Sequence, residues 1–78
     1  MNSFFFYGTR NELNAFKREW KALGLLGDPI QFLRETPKAN GKGTVKTWEF
    51  MGLVPSERVE EARALHHQHN EAIGCYRV

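Results

Sequence analysis

An α+β domain with the element order β-α-β-β-α-β, an antiparallel sheet and two helices on one face of it is predicted for this chain of 78 residues. Three observations carry the prediction. Two stretches show apolar residues at helical spacing behind helix-starting signals. A short aromatic run precedes the first of them. Between the helices lie two strand-like segments joined by a glycine-rich connection.

The run Ser3-Phe4-Phe5-Phe6-Tyr7 ends at Gly8, which suits a central strand buried on both faces. Thr9 stands three residues before Glu12, the spacing of a capping box in which hydroxyl and carboxylate each satisfy a free backbone amide. The helix that follows aligns Leu13, Phe16, Trp20 and Leu23 on one arc, and Gly24 or Gly27 supplies the left-handed residue that stops it.

Asp28-Pro29 marks a turn, and residues 30–35 alternate in the manner of a half-exposed strand. Residues 36–43, with Pro37, Asn40-Gly41 and Gly43, form a hairpin connection longer than the tight two-residue type. The third strand spans residues 44–51, with Lys46, Trp48 and Phe50 on one face, and Gly52 and Pro55 close it. Ser56 is placed to cap the second helix, which continues to about Ile73, and Gly74 ends it before a last strand over residues 75–78.

Over nearly the whole chain this order resembles the ferredoxin-like superfold, whose split βαβ arrangement puts the first and third strands at the centre of the sheet. The resemblance rests on element order alone, and the superfold hosts many unrelated functions.

Size and composition bound the rest. So short a chain makes one domain, 1–78, with a modest core. A 41% apolar share with six Phe, two Trp and two Tyr speaks against disorder. The single cysteine, Cys75, cannot make an internal disulfide, which points to a reducing, cytoplasmic setting. Residues 4–7 are too short a run for a signal peptide or a membrane span, so no membrane partner is expected.

Eleven basic against nine acidic residues leave +2, but the charges are segregated. Arg10, Lys17, Arg18 and Lys21 share one arc of the first helix, and Arg34, Lys38, Lys42 and Lys46 cluster on the hairpin. Glu57, Glu60, Glu61 and Glu71 make one side of the second helix acidic. Ordinary solvated faces account for such patterns in most proteins, and steering toward a charged partner is the sharper reading.

The segment Leu65-His66-His67-Gln68-His69 is the one concentration of versatile side chains. His66 and His69 fall on the core-facing stripe with Val59, Ala62, Leu65 and Ile73, where packed, singly bonded imidazoles are the preferred reading over acid-base or metal roles. Their spacing of three residues departs from the i, i+4 pairs of zinc-binding helices, and no cofactor or metal is assigned. Cys75 reads as a small buried hydrophobe.

Three functions are compatible with these features. The favoured one is a stand-alone protein-binding module, an inhibitor or adaptor docking on a larger protein or nucleoprotein complex, with Arg10, Lys17, Arg18, Lys21, Lys38, Lys42, Lys46, Trp48 and Phe50 as the partner-binding set. Compact domains of this kind occur by analogy among phage-encoded inhibitors, anti-CRISPR proteins included. The second is an RNA or single-stranded nucleic-acid binder. RNA-recognition-motif domains share the element order and stack bases on strand aromatics. Here Phe5 or Tyr7 and Trp48 with Phe50 would serve, yet the stretch from Lys42-Gly43 to Trp48 lacks the aromatics that motif requires directly after Lys-Gly. The third is a homodimeric α+β barrel enzyme in which His66 or His69 acts as acid-base.

Overall fold

In the computed structural model, which describes residues 1–77, the chain forms β1 (Asn2–Gly8), α1 (Arg10–Ala22), β2 (Leu26–Gly27), β3 (Gln31–Pro37), β4 (Thr44–Val54), α2 (Val59–Gln68) and β5 (Gly74–Arg77). One turn of 3₁₀ helix, Ser56–Arg58, leads into α2. All pairings are antiparallel. β1 lies between β4 and β5, and the outer side of β4 carries β3 along its first half and β2 near its end. This five-stranded antiparallel sheet with two helices is compatible with a ferredoxin-like arrangement. Of the last strand as expected, Val78 lies outside the described residues.

Strand alternation decides where the core sits. Phe4 and Phe6 of β1 and Phe50 and Val54 of β4 point to one side, under Leu13, Phe16 and Trp20 of α1 and Ala62 and Leu65 of α2, with Leu25 and Ile73 closing the ends. Both helices therefore cover the same sheet face. β1 is not buried on both faces as expected: Phe5 and Tyr7, directed to the other side, are only half-buried.

Trp20 locks the layers together. Fully buried, its indole N–H donates to the Leu26 carbonyl at 2.9 Å, and its ring lies on Gly52, where an added Cβ would come within 2.4 Å of Cζ2. β4 consequently runs straight through Gly52 to Val54 instead of ending there, because this glycine serves a packing contact and not a turn. Gly27 of β2 makes the equivalent approach to the Phe50 ring.

Local signals hold at α1 and shift at α2. The Thr9 side chain accepts from the Glu12 amide at 3.3 Å, and Gly24 takes the left-handed conformation at φ 79° just past the Leu23 cap. Leu23 itself is exposed. Among the described residues the Glu12 carboxylate makes no return bond, so only the hydroxyl half of the capping box forms. α2 stops at Gln68, five residues short of expectation, since residues 69–73 coil back in turns bonded to the His69 carbonyl. Ser56 does not cap it either: its hydroxyl accepts from the Asn2 amide nitrogen instead. Arg58 ties the helices, donating to Glu61 from Nε at 2.9 Å and to the Leu23 carbonyl at the end of α1. That bond to Arg58 holds the Glu61 carboxyl below its ordinary range.

A register shift between Phe32 and Arg34 marks a bulge at Leu33. It leaves Phe32 opposite Trp48 on the helix side while Arg34 pairs with Thr47, whose side chain lies on the other. Beyond Gly8, which pairs with Trp48, β3 and β4 continue together as a two-stranded arm, so the molecule measures 45 × 20 × 19 Å. Gly41 and Gly43, both at positive φ, shape the tip of this arm, and the Asn40 side chain accepts from the Lys42 amide.

Replacing Gly52 by Ala is expected to cost about 1–3 kcal/mol, because the new methyl group displaces the Trp20 ring from a packed core. Urea unfolding would read it as a lower midpoint, and an unchanged midpoint would contradict the contact.

Candidate functional site: the uncovered sheet face

No helix covers the side of the sheet opposite the core. Alternation brings Phe5 and Tyr7 of β1, Glu49, Met51 and Leu53 of β4 and Tyr76 of β5 onto it, and the Leu26–Leu53 pairing adds Leu26. Tyr76 is 42% exposed and Leu26 65%, while Phe5, Tyr7, Met51 and Leu53 are half-buried only by each other and the sheet. An apolar strip thus crosses the sheet from β5 to β2.

Its aromatic end is ordered by its own contacts. Phe5 and Tyr76 are register partners, and their rings stack 5.1 Å apart at 9°. Tyr7 stands 6.0 Å from Tyr76, and Gly74 opposite it leaves room for the Tyr7 ring, which a Cβ would strike at 2.1 Å. The Tyr76 hydroxyl donates to Glu49, and this bond together with burial raises the phenol pKa, against which Arg34 acts in the opposite sense. Arg34 is therefore close enough to be felt on this face, where the bulge has sent it. The surface is ordered, mostly apolar, and marked by one carboxylate, Glu49, and one guanidinium, Arg34.

The partner-binding set expected from the sequence occupies a different surface. Arg10 lies 5.0 Å over the Trp48 ring, and Lys17 lies 5.6 Å over Phe50. Arg18 and Lys21 are exposed on the same helix, and Lys38, Lys42 and Lys46 are exposed along the arm. Trp48 is half-buried, with Phe32 edge-on at 5.5 Å. Phe50 has to be removed from the set. It is completely buried beneath Phe16, Trp20 and Phe6, because it meets the middle of α1, whereas Trp48, two residues earlier, meets only its first turn.

The histidines sit on the helix side. His66 packs against Phe6 and Phe16, and its Nε2 lies 2.7 Å from the Ile73 carbonyl, which accepts, so that nitrogen carries the proton. His69 pairs with Glu19 at 2.5 Å beside Phe16, and His67 is exposed. His66 and Cys75 do border one cavity, but at about 30 Å³ it has the volume of a single water. A barrel formed by two sheets would enclose the face bearing Phe5 and Tyr76, so neither His66 nor His69 could reach its interior. No group of three or more His, Cys, Asp or Glu able to hold a metal ion occurs among the described residues. A larger cleft, about 350 Å³, opens where the arm leaves the body, between Tyr7 and Thr9, Lys46 and Thr47, and Asn70 and Glu71.

With both helices on one face the sequence implies an uncovered one, but which residues line it is not legible there, because Phe4-Phe5-Phe6-Tyr7 has no alternation to divide it. The glycine at position 74, opposite Tyr7 on an otherwise apolar edge, was the one local sign of a ring lying across the strand. No helix among the described residues is long and apolar enough to cross a membrane. No protein-family model matches the chain, and no curated protein matches it significantly.

The Glu49–Tyr76 bond makes a spectroscopic prediction. In a Tyr7→Phe background, ultraviolet absorbance should show the remaining phenol titrating above the ordinary value of 10.0, and Glu49→Gln should bring it back down. A raised folded pKa means that the bond's contribution to stability is complete below the unfolded value and fades as pH climbs through the folded one. Identical titrations in the two proteins would dismiss the bond.

Proposed function

We propose that the protein is a small binding module, an inhibitor or adaptor, that docks its uncovered sheet face on an apolar patch of a larger protein. The observation that carries this reading is the strip Phe5, Tyr7, Met51, Leu53, Tyr76 and Leu26, an ordered aromatic and aliphatic surface on a domain whose core lies entirely on the opposite side. Monomeric proteins rarely leave a contiguous apolar surface without a use, and interface centres favour Tyr, Phe and Met. Glu49 and Arg34 give such an interface its register, since a partner that buries them has to satisfy both.

Two finer readings accompany it. The strand order β5-β1-β4-β3 supports a ferredoxin-like split βαβ fold, with β2 an addition on the β3 side. The single cysteine supports work in a reducing, cytoplasmic compartment. The catalytic alternative has less support: His66 and His69 are engaged in packing, and the cavity that His66 shares with Cys75 is too small for a substrate.

Affinity capture from the native host with the tagged protein tests the proposal when run beside Tyr76→Ala and Leu26→Ser, two exposed positions whose change should leave folding intact. Loss of a central aromatic contact should weaken partner capture by about 30-fold or more. A partner retained equally by both variants would rule this face out. Size-exclusion chromatography with light scattering decides whether a second copy of the chain occupies the face instead.

A further inference from the structure

The cations of α1 and of the arm are not scattered. On α1, Arg10, Lys17 and Lys21 lie within a narrow arc on the flank turned toward β4, as the seats of Arg10 over Trp48 and Lys17 over Phe50 require. Arg10 to Lys21 spans about 16 Å along the helix. α1 starts where β1 ends, so its first turn adjoins the root of the arm, and β4 carries the row onward. Lys46 alternates with Trp48 and Phe50 and thus lies on the helix side, while Lys38 and Lys42 sit at the tip, about 17 Å or more beyond Trp48, with Lys38 opposite Gly43 and so on the other side of the ribbon from Lys46. The result is one cationic stripe along the 45 Å axis of the molecule, with Trp48 and half-exposed Phe32 set beside its middle.

Three further facts give the stripe a direction of use. None of Arg10, Lys17, Arg18, Lys21, Lys38, Lys42 and Lys46 belongs to an ion pair among the described residues, in contrast to Arg58 and Arg63, which are bound to glutamates. The acidic groups of α1's other flank point away, with Glu19 held by His69 toward α2. Glu35, the register partner of Lys46, keeps its negative charge while accepting from the Thr44 hydroxyl, and with Glu71 across the cleft from Lys46 it is the nearest opposing charge. A long row in which cations outnumber the one carboxylate, Glu35, interleaved with aromatic rings, matches a polymer that presents negative charge at regular intervals and planar groups between them.

We infer that this stripe binds a single-stranded nucleic acid, its phosphates following Lys38, Lys42, Lys46, Arg10 and Lys17 and a base resting against Trp48 and Phe32. The site lies across the molecule from the uncovered sheet face and does not depend on it, so one protein can hold a strand and a protein surface together. An acidic polypeptide is the competing occupant, but the stripe is linear, longer than either element that builds it, and flanked by rings that carboxylates do not need.

Fluorescence anisotropy with labelled oligouridylate and oligothymidylate of about twelve nucleotides, titrated over a salt series, tests this. Four to six neutralised phosphates should give a log–log salt slope of about −3 to −4, at roughly 0.7 per contact. Joint Lys38→Gln, Lys42→Gln and Lys46→Gln changes should flatten the slope by about 2 and weaken binding more than tenfold at about 50 mM salt. Lys17→Gln with Lys21→Gln, in a well-capped helix, should produce a smaller loss of the same kind. Tryptophan emission should respond through Trp48, since Trp20 is fully buried. The sheet-face variants Tyr76→Ala and Leu26→Ser should bind the oligonucleotides as the wild type does, which separates failure here from failure of the docking face. Absence of binding at about 50 µM protein and low salt, an unchanged slope in the triple variant, or equal affinity for a polyglutamate peptide of matched charge would each overturn the inference.

Discussion

The seat of Trp20 on Gly52 is the constraint on which the rest of the molecule depends. An indole needs a partner for its N–H when it is taken out of water, and the Leu26 carbonyl supplies one at 2.9 Å. That bond places the chain leaving α1 against β4, where Leu26 and Gly27 pair with Leu53 and Gly52. The same ring fills the space over Gly52 and abuts Phe6 and Phe50, so helix position, strand register and the path of the connection are set by one side chain. With few residues available for a core, such shared use substitutes for size.

Placing every large core side chain on one side has an unavoidable counterpart. Both helices shield the same face, and β1 supplies rings to both faces. The aromatic residues on the outer side are stabilised against one another by stacking and by the Tyr76–Glu49 bond, which keeps them ordered while they remain accessible. Their arrangement costs the domain little in packing, since none of them belongs to the core cluster. The result is an ordered apolar strip of the kind that contact surfaces are built from.

How much of this could be read from the chain follows from which signals are local. α1 was legible because Leu13, Phe16 and Trp20 repeat at helical spacing behind a Thr9 cap, and β4 because a long alternating run ends the hairpin. The partition of Phe4-Phe5-Phe6-Tyr7 between two faces was not legible, since four aromatics in a row give no period. The continuation of β4 through Gly52 was hidden because its cause is a ring 32 positions earlier in the sequence. β2, only two residues long, exists by virtue of the Trp20–Leu26 bond. At the site level, the cations were found by spacing and arc, whereas Phe50 was misplaced because Trp48 and Phe50 share a side of β4 and differ only in how far under α1 they lie.

The overhang of β3 and β4 past the end of β1 carries a mechanical consequence. In the body, each strand is backed by helices, and opening its hydrogen bonds means exposing Phe6, Phe50 or Trp20. Past Trp48 the ribbon has no backing layer, its β3 residues are exposed, and its bonds can break without disturbing the core. Local opening of the body and of the lever beyond the Gly8–Trp48 pair is therefore expected to carry separate free energies. A surface contacted at the tip can bend the lever to its own contour while the body keeps its shape, so fit at one end does not have to be bought with strain at the other.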